Sequence, residues 1–188
     1  MSAAWSLYID TTENWAYQNN VFTKEECQTI IKIGNEKLGR ATVIGNDQSV
    51  RDSQVAWLSP TGETEFAFQR LTESIININE KYFKFDLSGF NEGFQFTRYD
   101  APSGYYGRHI DKIYNGAIRK LSVTIQLSEP SEYEGGELCL HYADKPEVMP
   151  KEQAKLIAFP SYALHEVTPV TKGTRYSLVA WITGKPFK

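Results

Sequence analysis

Two residues separated by one position form the first candidate metal-binding pair in the chain. His109 and Asp111 flank Ile110. If this stretch is a β-strand, residues i and i+2 project from the same face, so an imidazole nitrogen and a carboxylate oxygen can reach one ion. A further histidine from another strand would complete a set of two histidines and one carboxylate. Such a set leaves coordination positions open and suits non-heme Fe(II) chemistry with oxygen.

The third ligand has two candidates, because the chain contains only three histidines. His141 lies on a strand candidate 30 residues after Asp111 (141 − 111). His165 comes shortly after the turn Phe159-Pro160-Ser161, which ends another strand candidate. Either histidine could reach the pair from a neighbouring strand, so both remain open at this point.

An arginine and a serine after His165 form a candidate binding site for a dicarboxylate. Arg175 and Ser177 alternate on one predicted strand and therefore share a face. A buried guanidinium is a rigid two-pronged donor to a carboxylate, and a serine hydroxyl can donate to the same group. Taken singly, His109 and Asp111 could be a local hydrogen-bonded pair, and Arg175 could belong to a surface ion pair that contributes little. The combination favours a metal site with a bound dicarboxylate.

All of these residues fall in a part of the chain, from about residue 93 onward, that has the pattern of short strands separated by turns. The predicted strands span 93–99, 105–110, 120–127, 137–142, 155–159, 165–167 and 175–182. Many short strands at this spacing predict a sandwich or barrel. On strand 120–127 one face is apolar and the other holds Ser122, Thr124 and Gln126. A polar face inside a compact β domain indicates a lined cavity.

The first part of the chain is predicted to be partly helical. Thr23 and Glu26 have the spacing of a capping box, and an apolar helical face follows. A second helix is predicted from about Glu63 to Phe83, and a strand at 50–58. We expect both helices to pack against the outside of one sheet.

Composition limits the class of protein. The 188 residues suit one domain, and a net charge of −3 gives no general attraction to nucleic acid or to an anionic membrane. Cys27 and Cys139 are too few for a disulfide framework and favour a reducing compartment. Residues 1–10 lack the basic start and apolar run of a signal peptide, and no stretch predicts a membrane span. We expect a cytoplasmic protein, a monomer or weak homodimer, that binds neither nucleic acid nor membranes.

About half of the chain resembles a known family. The residues that carry the resemblance are Arg98-Tyr99, Gly104-Tyr105-Tyr106-Gly107-Arg108-His109-Ile110-Asp111, Leu121 to Leu127, Tyr133-Glu134-Gly135-Gly136-Glu137-Leu138, Phe159-Pro160-Ser161, His165 to Val170, Gly173 to Ser177 and Trp181. They are similar to the 2-oxoglutarate/Fe(II) dioxygenase superfamily, in its prolyl 4-hydroxylase-like, PKHD-type branch. The stretch 50–58 also resembles the strand that precedes the core in this branch.

The resemblance implies a mainly β fold with flanking helices: a double-stranded β-helix, which is a jelly roll of cupin-like type. Residues 1–188 would form a single domain, with 1–92 as helical support and entrance strand and 93–184 as the core. It implies that the iron ligands are His109, Asp111 and His165, and it therefore favours His165 over His141.

The resemblance also assigns a cosubstrate site. It implies that Arg175 binds the distal carboxylate of 2-oxoglutarate, with help from Ser177 and Tyr99, and that Tyr106 is a pocket tyrosine of the same site. Many prolyl 4-hydroxylases have lysine where this chain has Arg175. Where some relatives have a cosubstrate-binding tyrosine, this chain has Gln126, which we include among the candidate cosubstrate residues.

The activity implied is hydroxylation of an unactivated C–H bond with Fe(II), 2-oxoglutarate and O2, with release of succinate and CO2 and with ascorbate as a reductant. A prolyl residue in a protein or peptide is the preferred substrate, and a free amino acid or another small molecule is the alternative. The candidate substrate residues at the mouth of the site are Arg51, Trp57, Tyr105 and Arg108. A non-catalytic jelly-roll binding module and a cupin with another metal are competing classes, but neither needs the dicarboxylate anchor.

Overall fold

The computed structural model describes residues 11–40, 50–111 and 113–186. Residues 1–10, which we expect not to be a signal peptide, lie outside the described residues. Within the described ranges, no helix is long and apolar enough to cross a membrane.

The described residues form two α-helices and many short strands. The elements in chain order are β1 (Ala16–Gln18), α1 (Lys24–Glu36), β2 (Gly39–Arg40), β3 (Arg51–Asp52), β4 (Gln54–Leu58), a 3₁₀ turn (Gly62–Thr64), α2 (Glu65–Ile78), a π-helical turn (Asn79–Phe83), β5 (Leu87–Phe90), β6 (Phe94–Asp100), β7 (Tyr105–His109), β8 (Ile113–Tyr114), β9 (Ala117–Gln126), a second 3₁₀ turn (Pro130–Glu132), β10 (Tyr133–Gly135), β11 (Leu138–Leu140), β12 (Glu147–Val148), β13 (Leu156–Pro160), β14 (His165–Val167) and β15 (Val170–Gly184).

The strands assemble into a larger and a smaller antiparallel sheet. The larger sheet has the order β1-β13-β9-β15-β6-β4-β2, with β5 and β10 paired to β15 and β8 paired to β9. The smaller sheet has the order β12-β11-β14-β7-β3. One core cluster joins buried residues of both sheets, including Tyr99 of β6, Leu138 of β11 and Val167 of β14. The two sheets therefore face each other.

The two central strands of the larger sheet divide their side chains between two environments. On β9, Leu121, Val123 and Ile125 pack in the cluster that contains the buried faces of both helices. The residues between them, Ser122 and Thr124, line a cavity on the opposite face. This alternation confirms the predicted cavity and the predicted packing of the helices on the outside of one sheet.

Helix α1 begins at the predicted capping box and packs closely on the larger sheet. The Thr23 hydroxyl accepts a hydrogen bond from the Glu26 amide (3.1 Å), and the Glu26 carboxylate accepts one from the Thr23 amide (2.8 Å). At Gly34 an added Cβ would lie only 2.4 Å from the Phe96 ring of β6. A glycine at this position therefore allows the helix to approach the sheet.

Most predicted elements are present with shifted ends. The second predicted helix is split into a 3₁₀ turn, α2 and a π-helical turn. Six short strands were not predicted: β1, β2, β5, β8, β10 and β12. Strand β7 ends at His109, so Asp111 lies just beyond the strand and not within it.

Candidate active site

Three potential metal ligands meet at the smaller sheet. The ligand atoms of His109, Asp111 and His165 all lie within 4.8 Å of one another. His109 Nε2 is 3.7 Å from Asp111 Oδ1, and His165 Nε2 is 3.3 Å from Asp111 Oδ2. The histidines are opposite each other on paired strands β7 and β14. The three residues thus form a compact set of two nitrogens and one carboxylate on one side of a cavity.

Both histidines are oriented by a backbone carbonyl. Nδ1 of His109 lies 2.8 Å from the Gly107 carbonyl oxygen, and Nδ1 of His165 lies 2.9 Å from that of Ala163. A carbonyl oxygen only accepts, so Nδ1 carries the proton in both rings and donates it. Nε2 of each ring is left to bind a metal, and both Nε2 atoms face the Asp111 carboxylate. This is the arrangement that metal-binding histidines need.

A bulge in β7 turns two aromatic rings inward. His165 pairs with His109 and Val167 pairs with Tyr106, with an irregularity between the two pairs. Two residues of β7 therefore stand opposite one residue of β14. As a result Tyr106 and His109, three positions apart, stack with ring centroids 3.6 Å apart and an interplanar angle of 17°. Tyr106 forms one wall beside the histidine ligand.

Asp111 lies beyond the end of strand β7, and its position is fixed by hydrogen bonds to other residues. Its amide donates to the Ser161 carbonyl oxygen (3.0 Å). Its Oδ2 accepts from the Ser122 hydroxyl at 3.0 Å, and the Ser122 and Ser161 hydroxyls are 2.9 Å apart. Ile110, between the two ligands, is 41% exposed. The predicted same-face arrangement of His109 and Asp111 is present, and these contacts stabilise it.

The charges of the three residues are strongly coupled. Burial would raise the pKa of Asp111, but His165 and His109 lower it, and the net pKa is below its ordinary value. Burial and the neighbouring His165 lower the pKa of His109 to about 4. Burial lowers the pKa of His165 as well, but the Asp111 carboxylate raises it more, and the net pKa is raised. At neutral pH His109 is thus a neutral ligand beside an ionised carboxylate.

The larger sheet contributes a buried arginine to the same cavity. Arg175 is 1% exposed, and its Nη2 donates to Gln126 Oε1 at 2.9 Å. Within the described part of the chain, its Nε and Nη1 have no hydrogen-bond partner. Buried guanidinium nitrogens without partners carry a substantial desolvation cost. Arg175 is therefore suited to an anion that enters the cavity.

The other predicted cosubstrate residues surround Arg175. Ser177, Tyr99 and Tyr106 line the cavity together with the three metal-ligand candidates. The Arg175 guanidinium carbon lies 5.3 Å from the centre of the Tyr99 ring. Gln126 accepts a hydrogen bond from the guanidinium but is not among the residues that line the cavity. The apolar part of the wall consists of Leu138, Phe159, Val167 and Val179.

The four candidate substrate residues lie outside the cavity lining. Arg51 is buried, and its guanidinium lies 4.4 Å from the centre of the Tyr106 ring. Trp57 is 46% exposed and its ring contacts that of Trp181, a lining residue. Tyr105 is half-buried on β7, and Arg108 is mostly exposed and paired with Glu166 on the protein surface. Arg51 and Trp57 are thus one contact away from the cavity.

His141 has a different partner. Its Nε2 lies 2.9 Å from Glu166 Oε1, and it is not part of the cluster around Asp111. Glu166 lies between His165 and Val167 on β14 and points away from the cavity, since those two residues line it. The geometry therefore favours His165 as the third ligand.

Comparisons with known proteins identify the family of the chain. Residues 94–183 match the model of the 2OG-Fe(II) oxygenase superfamily. A PKHD-type hydroxylase of Prochlorococcus marinus is 32% identical over 170 residues, which cover 87% of this chain and 76% of the relative. The chain belongs to the PKHD-type hydroxylases of the 2-oxoglutarate/Fe(II) oxygenase superfamily. A PKHD-type hydroxylase of Picosynechococcus is 46% identical over 88 residues, and this match spans 46% of the chain and 40% of that relative.

Solved structures show the fold of the family. A prolyl-4-hydroxylase from Pseudomonas putida superposes with a TM-score of 0.73 at 22% identity, covering 93% of this chain and 95% of that one. A prolyl hydroxylase from Trichoplax adhaerens, solved with a peptide fragment of the hypoxia inducible factor oxygen degradation domain, superposes with a TM-score of 0.78 at 19% identity. It covers 92% of this chain and 84% of that one. The predicted double-stranded β-helix is confirmed.

The site residues fit the metal and the cosubstrate of the superfamily. Two imidazole nitrogens and one carboxylate oxygen are the donor set that suits Fe(II) with open positions. The unpartnered Nε and Nη1 of Arg175 are the donors that a distal carboxylate requires. His109, Asp111 and His165 would hold the metal, and Arg175 with Ser177 would hold the far end of 2-oxoglutarate.

An ion pair beside the metal-ligand candidates was not predicted. Arg119 lies 3.9 Å from Asp111 Oδ1 through its Nη1 and is bound by Glu92 through Nε and Nη2. The two residues are 27 positions apart, and each alone is an ordinary charged residue of the sequence. The pairing of β9 with β15 and the turn before β6 bring them together. The local sequence pattern therefore could not predict that Arg119 and Glu92 form an ion pair.

Proposed function

We propose that this protein is a dioxygenase that hydroxylates an unactivated C–H bond with Fe(II), 2-oxoglutarate and O2. The observation that carries the proposal is the presence in one cavity of the His109, Asp111 and His165 cluster and of a buried arginine with unpartnered donors. A jelly-roll binding module would need neither feature, and a cupin with other metal chemistry would not need the arginine.

The bound metal and cosubstrate would supply the oxidising chemistry that converts C–H to C–OH, with succinate and CO2 as co-products. The protein residues have binding and orienting roles. His109 and His165 present Nε2 because their Nδ1 protons are held by carbonyl oxygens. Ser122 donates to Asp111 and limits the rotation of its carboxylate. Fixed donor groups of this kind place reacting atoms with little loss of freedom at the moment of reaction.

Arg175 determines the orientation of 2-oxoglutarate in the cavity. Its guanidinium is held by Gln126 on one side and faces the Tyr99 ring on another. A dicarboxylate whose far end binds Arg175 and Ser177 directs its other end toward the metal-ligand cluster on the opposite sheet. The apolar wall of Leu138, Phe159 and Val167 excludes water from the space between them.

For the substrate we propose a prolyl residue in a peptide or protein, with a free amino acid or another small molecule as the alternative. The proposal is supported by the fold, which is that of solved prolyl hydroxylases, and by exposed aromatic surface at Trp57 next to the cavity residue Trp181. We further propose ascorbate as the reductant that maintains Fe(II), residues 93–184 as the catalytic core of a single domain, and a cytoplasmic monomer or weak homodimer.

The test is a substrate screen with a matched inactive variant. Proline-containing peptides and free amino acids are incubated with the protein, Fe(II), 2-oxoglutarate and ascorbate. We expect one class to gain one oxygen atom by mass spectrometry and to stimulate succinate formation, and we expect Asp111→Ala to abolish both. Full substrate-coupled succinate formation by Asp111→Ala would overturn the proposed function. Oxygen transfer to free amino acids only would replace the prolyl substrate by the alternative.

A further inference from the structure

We propose that Glu92 is a positioning residue for the metal centre: it binds Arg119 so that this guanidinium stays on the Trp181 ring and leaves Asp111 Oδ1 available to the metal. The inference rests on the proposed function, since it assigns a role toward the same metal.

The pair is enclosed and geometrically well defined. Arg119 Nε donates to Glu92 Oε1 at 2.8 Å, and Arg119 Nη2 donates to Glu92 Oε2 at 2.5 Å. The two side chains are only 11% and 6% exposed. A two-pronged contact between guanidinium and carboxylate is the strongest and most directional ion pair that these groups form. It differs in this respect from an exposed surface pair, which contributes little.

Arg119 is held from a second side by an aromatic ring of the cavity. Its guanidinium carbon lies 3.9 Å from the centre of the Trp181 ring. Its Nη1 lies 3.9 Å from Asp111 Oδ1, which is beyond hydrogen-bonding distance. Asp111 Oδ1 is also the oxygen that faces His109 Nε2, at 3.7 Å. A small rotation of the guanidinium would bring it onto the oxygen that faces the metal-ligand histidine.

The backbone around Glu92 shows how the carboxylate reaches this position. Glu92 lies in the turn between β5 and β6, next to Gly93. A Cβ at Gly93 would lie 2.5 Å from the Leu58 carbonyl oxygen at the end of β4. The glycine therefore lets the turn lie directly against β4. From this turn the Glu92 carboxylate reaches Arg119 of β9.

The physical consequence is a competition between two cations for one carboxylate. The Arg119 guanidinium is a cation, and its Nη1 lies 3.9 Å from Asp111 Oδ1. Loss of the Glu92 carboxylate removes the group that binds Nε and Nη2, and a guanidinium that moved onto Asp111 would oppose a divalent metal. With Glu92, both the charge and two of the donors of Arg119 are already satisfied. Glu92 thus preserves the metal affinity of Asp111 without touching the metal.

The experiment measures Mn(II) affinity, as a stand-in for Fe(II), by the electron paramagnetic resonance signal of free Mn(II). We expect Glu92→Gln to weaken Mn(II) binding by roughly tenfold or more, which is typical for the loss of a group that orients a metal ligand. We expect the double variant Glu92→Gln/Arg119→Gln to recover binding to within about threefold of wild type, because the competing cation is gone. Glu134→Gln, in an exposed ion pair with Lys172, is the matched control and should bind as wild type does.

The outcomes separate this role from a structural one. If the pair serves only packing, the double variant binds Mn(II) no better than Glu92→Gln, and that result would overturn the proposal. Unchanged affinity in Glu92→Gln would overturn it as well. If Glu92→Gln does not fold, Glu92→Asp shortens the side chain and keeps the charge, and the same recovery is required when Arg119→Gln is added. Absence of Mn(II) binding by wild type would instead refute the metal centre itself.

Discussion

At the scale of single residues, the site depends on which polar atoms are already bonded and which are left for a ligand. The Nδ1 atoms of His109 and His165 are committed to carbonyl oxygens, so only Nε2 of each is available. In Arg175 one nitrogen is committed to Gln126, and Nε and Nη1 are unpartnered among the described residues. A substitution at a histidine should therefore weaken metal binding, whereas a substitution beside Arg175 should weaken 2-oxoglutarate binding and leave the metal affinity unchanged.

The two alternative third ligands can be separated by metal content. His165→Ala removes a nitrogen from the cluster around Asp111 and should abolish tight Mn(II) binding. His141→Ala removes a contact to Glu166 and should leave Mn(II) affinity within about threefold of wild type, since neither residue belongs to the ligand set or orients one of its members. Calorimetric titration with Mn(II) measures both. Loss of metal from His141→Ala with retention in His165→Ala would reverse the assignment.

Gln126 offers a test of the cosubstrate site that spares the metal. In Gln126→Glu a buried carboxylate would stand beside Arg175 and pair with it. The guanidinium charge would then be compensated, and we expect the dissociation constant of 2-oxoglutarate to rise by about tenfold or more, because an ion pair with a carboxylate is stronger than the bond to an uncharged amide that it replaces. Mn(II) affinity should stay as in wild type. Gln54→Glu, an exposed position on β4, is the control.

An unchanged 2-oxoglutarate affinity in Gln126→Glu would show that Arg175 does not bind the cosubstrate. Calorimetric titration of the protein first with Mn(II) and then with 2-oxoglutarate gives the dissociation constants of both.

Single residues were predictable from the sequence where a spacing rule applied. The separation of His109 and Asp111 and the alternation of Arg175 and Ser177 placed four cavity residues on the correct faces. The contact of Glu92 with Arg119 was not predicted because the two residues are 27 positions apart and no local sequence pattern relates them. The contacts of Gln126 also depend on tertiary structure, since Gln126 and Arg175 meet only through the pairing of β9 with β15.

At the scale of elements, helix α1 positions the back of the sheet that carries the cavity. Gly34→Ala should destabilise the protein although alanine favours helices by about 1 kcal/mol over glycine. The added Cβ would lie 2.4 Å from the Phe96 ring, and overpacking of a core costs about 1–3 kcal/mol. Urea denaturation should therefore show a net loss of stability. Lys32→Ala, at an exposed position of the same helix, is the control.

A gain of stability in Gly34→Ala would mean that helix propensity outweighs the contact with Phe96 and that α1 packs less closely than described.

The elements themselves were largely predictable, but their irregularities were not. The capping box of Thr23 and Glu26 correctly located the start of α1. The bulge in β7 did not follow from the sequence, because a strict period of two would place Tyr106 and His109 on opposite faces. Strands β1 and β5 are short edge strands whose pairing depends on their neighbours. Irregular and edge elements are determined by tertiary contacts more than by local pattern.

At the scale of the whole molecule, both cysteines lie inside the folded chain as free thiols. Burial raises the pKa of Cys27 to about 12, and burial also raises that of Cys139. At pH 8 both thiols should stay protonated and unreactive toward a disulfide reagent until the protein unfolds, because the thiolate is the reactive form. Because the folded state keeps these thiols protonated, the free energy of unfolding should fall as the pH rises from the unfolded thiol pKa near 8.5 toward 12.

Labelling with a chromogenic disulfide reagent, with and without denaturant, checks this prediction. Rapid labelling of the native protein at pH 8 would contradict the enclosed position of the thiols.

The arrangement of the two sheets explains why the cavity forms at all. The larger sheet uses one face for the helices and the other for the cavity, so β9 and β15 must be buried on both sides. The sequence indicated this two-sided role through the polar face of β9. The smaller sheet supplies the histidines, and the larger sheet supplies Arg175. We therefore propose that metal and cosubstrate bind at the interface between the sheets.

The central claim is tested most directly by calorimetric titration of 2-oxoglutarate into the protein with and without Mn(II). We predict binding that requires Mn(II), and a large loss of 2-oxoglutarate affinity in Arg175→Met at nearly unchanged Mn(II) affinity. Unfolding experiments should agree, since a ligand at a hundred times its dissociation constant adds about 2.7 kcal/mol of stability. Binding of 2-oxoglutarate that is equally tight without metal, or that is unaffected by Arg175→Met, would contradict the account.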